Sequence, residues 1–285
     1  MLVNLKEILN IAEQNKTAIA AIDCPTFEMA VATVEAAEAL NQPVILAHAQ
    51  IHEEMGYMKL EHIAPIFKML AEQSSVPVCM HLDHGTTREY VFKAIDLGFT
   101  SVMYDASLKS YADNLKETIE VVAYAKKHHV SVEAELGSMP SNGGEDGKVF
   151  EPEDYYTKPE EAVKFIKASG IDALAVSYGS VHGLYTCEPK LNFDIVSSIH
   201  QVSKLPLVLH GGSGLSDRDY LESIHAGIRK INYFTYMAYD GGKAVRNALN
   251  SSKDDFQYQD LAKIATEAFK ENVKRIIKLF SNASK

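Results

Sequence analysis

The sequence predicts a (β/α)8 barrel, a TIM barrel of the α/β class, followed by a C-terminal helical extension. Short apolar, β-branched runs alternate with longer segments of helical periodicity along almost the whole chain. This alternation is typical of βα units and a parallel sheet. About eight such units in about 235 residues match the size of a (β/α)8 barrel, whereas a doubly wound sheet, the second candidate, usually has fewer strands. We therefore expect residues 1–285 to form a single domain.

Eight segments are predicted to be strands because they are short and almost continuously apolar, as expected of strands buried on both faces. In chain order they are Ala18–Asp23, Val44–His48, Val78–His84, Ser101–Asp105, Ser131–Gly137, Ala173–Gly179, Leu207–Gly212 and Ile231–Thr235.

The segments between the strands are predicted to be helices: Phe27–Leu40, Leu60–Gln73, Thr87–Leu97, Tyr111–His128, Lys158–Ala168, Phe193–Ser203 and Asp217–His225. Thr86 is the candidate N-cap of the third helix, and Gly98 is its candidate end. A final amphipathic segment, Leu261–Phe280, is expected to pack on the barrel exterior or on a partner subunit.

Charge and cysteine content exclude several classes of function. With 28 basic and 38 acidic residues, the chain has a net charge of −10, which disfavours nucleic-acid binding. No apolar run approaches the roughly 20 residues of a membrane helix, and the N-terminus does not resemble a signal peptide. Cys24, Cys79 and Cys187 are too few and too widely spaced for a disulfide framework. We therefore expect a cytoplasmic protein that binds neither nucleic acid nor membrane.

Metal-binding and acid/base residues stand at most of the predicted strand ends. The active site of such a barrel lies at the carboxyl ends of its strands. Because three neutral imidazoles with an open fourth position are typical of catalytic zinc, His84, His182 and His210 are predicted to hold a zinc ion that acts as a Lewis acid. Asp83 directly precedes a proposed ligand, so we expect its side chain to leave the strand in another direction and to move protons beside the metal or support a ligand.

Three further acidic or imidazole side chains lie close to this set in the sequence. His81 is expected to face the barrel interior or to support a ligand, and it has no chemical role in the prediction. Asp105 and Glu135 are expected either to support the ligands or to form an alternative metal position.

A phosphate site is predicted separately. Gly211, Gly212 and Ser213 follow the seventh strand, and Asn232 to Thr235 end the eighth. Loops after these two strands commonly bind phosphate in (β/α)8 barrels, through backbone N–H groups and a hydroxyl.

Five segments together resemble the class II, zinc-dependent aldolases, which split fructose 1,6-bisphosphate, tagatose 1,6-bisphosphate and related ketose phosphates. They are HLDHG (81–85), EAELG (133–137), GSVHGLY (179–185), LHGGSG (209–214) and KIN (230–232). The resemblance implies that His84, His182 and His210 are the zinc ligands and that Asp83 is the catalytic proton carrier. It also implies that Asp105 and Glu135 lie near the metal.

The resemblance further implies a substrate and a reaction. Gly183, Gly211, Ser213, Asn232 and Thr235 would surround the dihydroxyacetone phosphate end, where a monovalent cation (Na⁺ or K⁺) often assists. Asp83 would take the proton of the C4 hydroxyl in a reversible aldol cleavage while zinc polarises the C2 carbonyl. The loop around Ser138–Asp146, with its NGGEDG sequence, would close over the site. Members of the family are homodimers or homotetramers.

Several segments depart from the family pattern where a phosphate would bind. They are His48–Glu54 after strand two, Thr186-Cys187-Glu188 after GSVHGLY, Tyr233-Phe234 in strand eight, and Asp255–Tyr258, where Lys263 is the nearest cation. Each change removes a cation or adds bulk, and one lost charged contact costs about 1.5–3 kcal/mol. We therefore hypothesise that the metal chemistry is kept and that the substrate is a ketose monophosphate or another ketose derivative, with a bisphosphate as the other possibility.

Three other functions compete with this interpretation. A Schiff-base aldolase needs a lysine at a strand end, and Lys230 is predicted to lie at the start of its strand. A zinc hydrolase of this fold usually has a His-x-His pair on strand one, which here contains Ala20–Asp23. A non-catalytic subunit of a sugar-phosphate utilisation complex is compatible with the altered phosphate residues, but the retained ligands and Asp83 argue against it.

Overall fold

A closed barrel of eight parallel strands forms the centre of the computed structural model, which describes residues 1–138, 155–183, 185, 188–251 and 255–283. The strands are β2 (Ile19–Asp23), β3 (Val44–Ala49), β4 (Val78–Gly85), β5 (Ser101–Tyr104), β6 (Ser131–Leu136), β7 (Ala173–Val176), β8 (Leu207–Leu209) and β9 (Ile228–Tyr233). Each pairs in parallel with the next, and β9 closes the barrel on β2. A short strand, β1 (Leu2–Val3), also pairs with β4. The predicted fold class is confirmed.

The helices cover the outside of the barrel and its N-terminal end. They are α1 (Leu5–Asn15), α2 (Phe27–Leu40), α3 (Gln50–Glu54), α4 (Leu60–Gln73), α5 (Arg88–Asp96), α6 (Tyr111–Lys127), α7 (Pro159–Ser169), α8 (Phe193–Ser203), α9 (Asp217–Ala226), α10 (Thr235–Ser251) and α11 (Tyr258–Ser281). All seven helices predicted between strands are present. The predicted cap Thr86 is wrong, because the hydroxyl of Thr87 accepts from the backbone N–H of Tyr90 at 3.3 Å.

Helix α1 closes the barrel at the end opposite the carboxyl ends of the strands. Its apolar residues Leu5, Ile8 and Leu9 are fully buried, and they form one cluster with inward-facing residues of the strands. Asn4 and Glu7 cap its start reciprocally, each side chain accepting from the other residue's backbone N–H at 2.9 Å. The sequence analysis missed this helix, although an Asn-x-x-Glu pattern before an apolar period is a recognisable start signal.

The last strand begins earlier than predicted, and it is followed by a helix that was not predicted. Strand β9 starts at Ile228 rather than Ile231, and Thr235 begins α10 instead of ending the strand. The basic pair Arg229-Lys230 obscured the strand, because both side chains are buried and each is paired with a glutamate, Glu13 or Glu133. Lys230 therefore lies inside its strand and not at its start.

Helix α11 is the predicted C-terminal extension, and it packs on the barrel exterior against α2 and α10. Its buried residues are Phe269, Val273, Ile276, Ile277 and Phe280. Among the described residues, no helix is both long and apolar enough to cross a membrane. Cys24 and Cys79 are free and buried, whereas Cys187 lies outside the described residues.

Candidate active site

The carboxyl ends of the barrel strands surround a cavity of about 700 Å³. Every residue that the sequence analysis placed in the site lines this cavity: Asp83, His84, Asp105, Glu135, His182, Gly183, His210, Gly211, Gly212, Ser213, Asn232 and Thr235. They come from six different strands or the loops that follow them, and barrel closure brings them together. Of the predicted closing loop, only Ser138 is described and lines the cavity; residues 139–146 lie outside the described part of the chain.

Three histidines converge in the cavity. One ring nitrogen each of His84, His182 and His210 lies within 4.8 Å of the others. The ring centroid of His84 is 4.5 Å from that of His210 and 5.0 Å from that of His182. Nε2 of His84 and Nδ1 of His210 are 2.8 Å apart, close enough for a hydrogen bond.

An irregularity in β4 brings two successive residues to the same cavity. In a regular strand, Asp83 and His84 would point to opposite faces. Here His84 has a φ of 43°, and the register between β4 and β5 shifts between Leu82 and Gly85. Such bulges re-aim side chains and are frequent at active sites. The two side chains therefore both reach the cavity, contrary to the expectation that they diverge.

The three histidines fit a metal ion. In two of them, the ring nitrogen that would not bind the metal is already bonded to a carboxylate. Nδ1 of His84 lies 2.8 Å from Oδ2 of Asp105, and Nε2 of His210 lies 2.8 Å from Oε1 of Glu133. Carboxylates in these positions fix the ring and its tautomer, and they leave Nε2 of His84 and Nδ1 of His210 for a metal. A second group, His84, Asp105 and Glu135, also brings its ligand atoms within 4.8 Å.

Electrostatics divides the carboxyl groups of the cavity into two kinds. Burial alone would raise the pKa of Asp83, but His84, His210, Lys230 and the hydrogen bond from Asn232 together hold the pKa below its usual range. Burial and then Asp105 raise the pKa of Glu135 well above its usual range. Burial alone would lower the pKa of His84, but Asp83 and Asp105 raise it to about 10. The environment therefore favours the ionised form of Asp83 and the protonated form of Glu135.

Asp83 is fixed by a neighbour from the last strand. It is almost fully buried, and Nδ2 of Asn232 donates to its Oδ1 at 2.8 Å. Its Oδ2 is 3.9 Å from Nε2 of His84. The carboxylate is thus held beside the three histidines while one of its oxygens keeps a defined direction.

The predicted phosphate residues form one corner of the cavity. Oγ of Ser213 accepts from the backbone N–H groups of Phe234 and Thr235, at 2.9 and 3.1 Å, where α10 begins. The hydroxyl of Tyr185 donates to the carbonyl of Gly211 at 2.9 Å and joins the loops after β7 and β8. A helix N-terminus beside a glycine-rich turn favours an anion.

Comparison with known proteins decides the family. Residues 3–285 match the family described as fructose-bisphosphate aldolase class-II. The chain belongs to this family. It is 39% identical over 289 residues to the fructose-bisphosphate aldolase of Staphylococcus aureus (strain Mu50), covering 100% of this chain and 99% of that one. It is also 39% identical over 275 residues to a probable fructose-bisphosphate aldolase of Bacillus subtilis (strain 168), covering 95% of each.

A solved structure agrees with this assignment. The YdjI aldolase from Escherichia coli K12 superposes with a TM-score of 0.86 at 33% sequence identity, covering 98% of this chain and 97% of that one. The protein is therefore an aldolase of class II that acts on a ketose phosphate, as the sequence resemblance predicts, and the alternative of a non-catalytic subunit is not favoured.

The aldolase contains a buried ionic network below the histidines that sequence reasoning missed. Nζ of Lys230 donates to Oε1 of Glu133 at 3.1 Å and forms an ion pair with its Oε2 at 2.8 Å, and both side chains are fully buried. His81 lies in the barrel interior as expected, with Nδ1 2.8 Å from Oγ of Ser101. The i, i+2 spacing of Glu133 and Glu135 could have revealed that both face inward. Since Lys230 does not line the cavity and is engaged by Glu133, the structure gives no support to Schiff-base chemistry.

Removing the lysine from this network is expected to destabilise the aldolase strongly. Lys230→Met leaves the buried Glu133 carboxylate beside two imidazoles, His210 at 2.8 Å and His81 at 3.8 Å, and without its lysine, and breaking a buried ion pair costs about 3–5 kcal/mol. Urea denaturation followed by circular dichroism measures the loss. Lys164→Met, at an exposed lysine of α7, is the matched control. The double variant Lys230→Met/Glu133→Gln should recover part of the loss, and a single variant as stable as the control contradicts the assignment.

Two glycines of the cavity allow a matched test of the phosphate corner. Gly211 and Gly183 both have positive φ, 65° and 92°, so alanine introduces backbone strain of about 1–2 kcal/mol at either position. A Cβ on Gly211 would collide with the backbone of Val181, whereas a Cβ on Gly183 meets nothing within 4 Å. We expect Gly211→Ala to raise the KM for the sugar phosphate at least about tenfold more than Gly183→Ala does, by displacing the turn. Equal KM values in the two variants would contradict this role.

Proposed function

We propose that this aldolase cleaves a ketose that carries a single phosphate, on C1, reversibly into dihydroxyacetone phosphate and an aldehyde. One observation carries the proposal: among the described residues that line the cavity there is no lysine or arginine. The corner at Gly211, Ser213 and Thr235 can bind one phosphate through backbone N–H groups and a helix N-terminus. A second phosphate would lack a charged partner, and each such contact contributes about 1.5–3 kcal/mol.

The departures from the family pattern support the same substrate. The segment after β3 folds as α3, and its residues Ile51 and His52 line the cavity, as does Phe234. Lys263, the nearest candidate for gripping a far phosphate, is exposed on α11 and does not line the cavity. Thr186 and Cys187 lie outside the described residues. A ketose 1,6-bisphosphate is the second candidate, favoured by the names of the Staphylococcus and Bacillus relatives.

The proposed metal site consists of His84, His182 and His210. A zinc ion held there would supply a Lewis acid for the C2 carbonyl of the ketose. Asp105 orients His84, and Glu133 orients His210. Glu135 has a buried oxygen, Oε2, without a hydrogen-bond partner in the described part of the chain, so it remains the candidate for an alternative metal position. The monovalent cation, the homodimer or homotetramer and the cytoplasmic location remain predictions.

The chain's own residues perform the proton transfer in this proposal. Asp83, ionised and held by Asn232, accepts the proton of the C4 hydroxyl as the C3–C4 bond breaks, and C4 leaves as the aldehyde. The electron pair of that bond passes to the C1–C3 fragment as an enediolate, which takes a proton from solvent at C3 to give dihydroxyacetone phosphate. In the reverse reaction C3 loses this proton, and Asp83 returns its own to the aldehyde oxygen. The phosphate corner fixes C1, so that the C4 hydroxyl lies within reach of Asp83. Burial of Asp83 excludes water that would otherwise compete for the proton.

A substrate panel tests the proposal directly. Release of dihydroxyacetone phosphate is measured from matched pairs of ketohexose 1-phosphates and 1,6-bisphosphates, with and without a chelator. We expect chelator-sensitive release, restored by added zinc, with a kcat/KM at least about tenfold higher for the monophosphate of the best pair. A bisphosphate that is far better than every monophosphate would overturn the proposal in favour of the second candidate.

A further inference from the structure

One wall of the cavity contains polar side chains that the proposed reaction does not use. Asp23 ends β2, His48 lies in β3, and His52 follows in α3. Asp23 and His52 line the cavity, and the exposed fractions of Asp23, His48 and His52 are only 7%, 0% and 5%.

The polar atoms of this wall lack partners. Oδ1 of Asp23, both ring nitrogens of His48 and Nδ1 of His52 are buried without a hydrogen bond among the described residues. Buried polar groups are nearly always satisfied, because leaving one unpaired is unfavourable. Two of these atoms belong to Asp23 and His52, which line the substrate cavity, and this indicates that a polar ligand satisfies hydrogen-bonding groups of these two residues.

Asp105, on the opposite wall, does not share this property. Oδ1 of Asp105 accepts from the hydroxyl and the backbone N–H of Ser107, at 2.7 and 3.0 Å, and its Oδ2 is bonded to His84. Asp105 is therefore already paired within the protein, whereas Oε2 of Glu135 on the same side has no hydrogen-bond partner among the described residues. Four residues that line the cavity thus have a buried atom without a hydrogen-bond partner in the described part of the chain: Asp23 and His52 on the side of β2, β3 and α3, and Glu135 and Asn232 on other strands. Glu135 lies beside the proposed metal ligands and Asn232 holds Asp83, so Asp23 and His52 are left for the rest of the substrate.

The position of this wall relative to Asp83 indicates which part of the substrate lies against the wall. Ala49 of β3 pairs directly with Asp83 of β4, and Asp23 of β2 pairs with Ala47 of β3. In the proposed reaction, Asp83 acts on the C4 hydroxyl and the phosphate corner holds C1. The substrate carbons beyond C4 therefore lie beside Asp23 and His52.

The chemistry of the wall favours hydroxyl groups over an anion. Burial, and then the neighbouring His52, lower the pKa of His48 to about 4, and burial also lowers the pKa of His52. A neutral imidazole offers one donor and one acceptor, and Asp23 adds acceptors but no positive charge. The ring of His52 packs 4.8 Å from that of Phe234, which holds it in place without using a hydrogen bond.

We infer that Asp23 and His52, with His48 behind them, form a subsite that binds the hydroxyl groups of the carbons beyond C4. The part of the substrate released as the aldehyde is then an uncharged polyhydroxylated chain. This inference rests on the proposed function and names the substrate class of the same site.

The test measures the preference for hydroxylated over deoxygenated substrates in the wild type and in two variants. The best ketohexose 1-phosphate of the panel is compared with analogues that lack its C5 or C6 hydroxyl. For the wild type, we expect the kcat/KM of the complete substrate to exceed that of at least one of the two analogues by about tenfold or more. In His52→Leu and Asp23→Asn, this preference should shrink at least about fivefold. An unchanged preference in both variants overturns the inference.

A half-reaction separates the inference from the function on which it rests. Exchange of the C3 proton of dihydroxyacetone phosphate with deuterated solvent, followed by NMR, requires no aldehyde. If the wild type neither exchanges this proton nor cleaves any substrate, the proposed function fails and the inference fails with it. If exchange and cleavage occur but the variants keep the wild-type preference, the inference alone fails.

Matched controls guard against effects on folding. His62→Leu places the same substitution at an exposed histidine of α4, and the preference should there equal that of the wild type. His52→Gln retains hydrogen-bonding capacity and should restore part of the preference that His52→Leu loses. If His52→Leu does not fold, Asp23→Asn and His52→Gln still decide the question.

Discussion

Replacing Asp83 with asparagine is expected to lower the kcat for cleavage by about 10²–10⁴-fold, the range that a positioned general base contributes. The amide has nearly the shape of the carboxylate and can keep the contact with Asn232, but it cannot accept the proton of the C4 hydroxyl. The loss should fall on kcat rather than on KM, because this proton transfer belongs to the transition state. Release of dihydroxyacetone phosphate under saturating substrate measures it.

Two controls define what the Asp83 result means. Asp194→Asn, at an exposed position in the first turn of α8, carries the same change without contact with the cavity and should leave kcat unaltered. Metal content, determined by elemental analysis, should be equal in the wild type and in Asp83→Asn. A loss smaller than about tenfold, with metal retained, would remove Asp83 from the base role.

The barrel was predictable because its strands are apolar on both faces and its helices repeat at a regular interval. The prediction was wrong for a segment whose side chains are charged but buried. The segment Ile228–Lys230 looks like a loop because it is basic, yet barrel closure supplies Glu13 and Glu133 as partners from distant parts of the chain. No local pattern contains that information. Helix α1 was missed for a different reason. Its capping box, Asn4 and Glu7, is a local pattern in the sequence that indicates the start of a helix.

The site was predictable for a topological reason: carboxyl ends of parallel strands converge, so residues that follow different strands become neighbours. What the sequence could not supply is the direction of each side chain. The left-handed backbone of His84 re-aims its ring, and a histidine in HLDHG gives no sign of it. Likewise, the unpaired nitrogens of His48 and His52 become visible only when the packing around them is known.

The largest effect is expected from His84→Asn, which should abolish measurable cleavage and weaken zinc binding by more than about 10³-fold. Asparagine tolerates the positive φ at this position, so that backbone strain does not explain the loss. It removes one of the three converging imidazoles that are proposed to hold the Lewis acid. Zinc affinity is measured by competition with a chromophoric chelator, and cleavage by release of dihydroxyacetone phosphate.

A graded series makes the His84 result specific. Asp105→Asn keeps the ligand and weakens only its support, since the carboxylate lies 2.8 Å from Nδ1 of His84; loss of such support lowers metal affinity by about 10–100-fold. His62→Asn, exposed on α4, should leave affinity unchanged. The order His84→Asn, Asp105→Asn, His62→Asn follows from the proposed roles: His84 would be a ligand, Asp105 would support that ligand, and His62 has neither role. If His84→Asn binds zinc as tightly as His62→Asn, the assigned ligand set is wrong, and the group His84, Asp105 and Glu135 is excluded by the same measurement, because both sets contain His84.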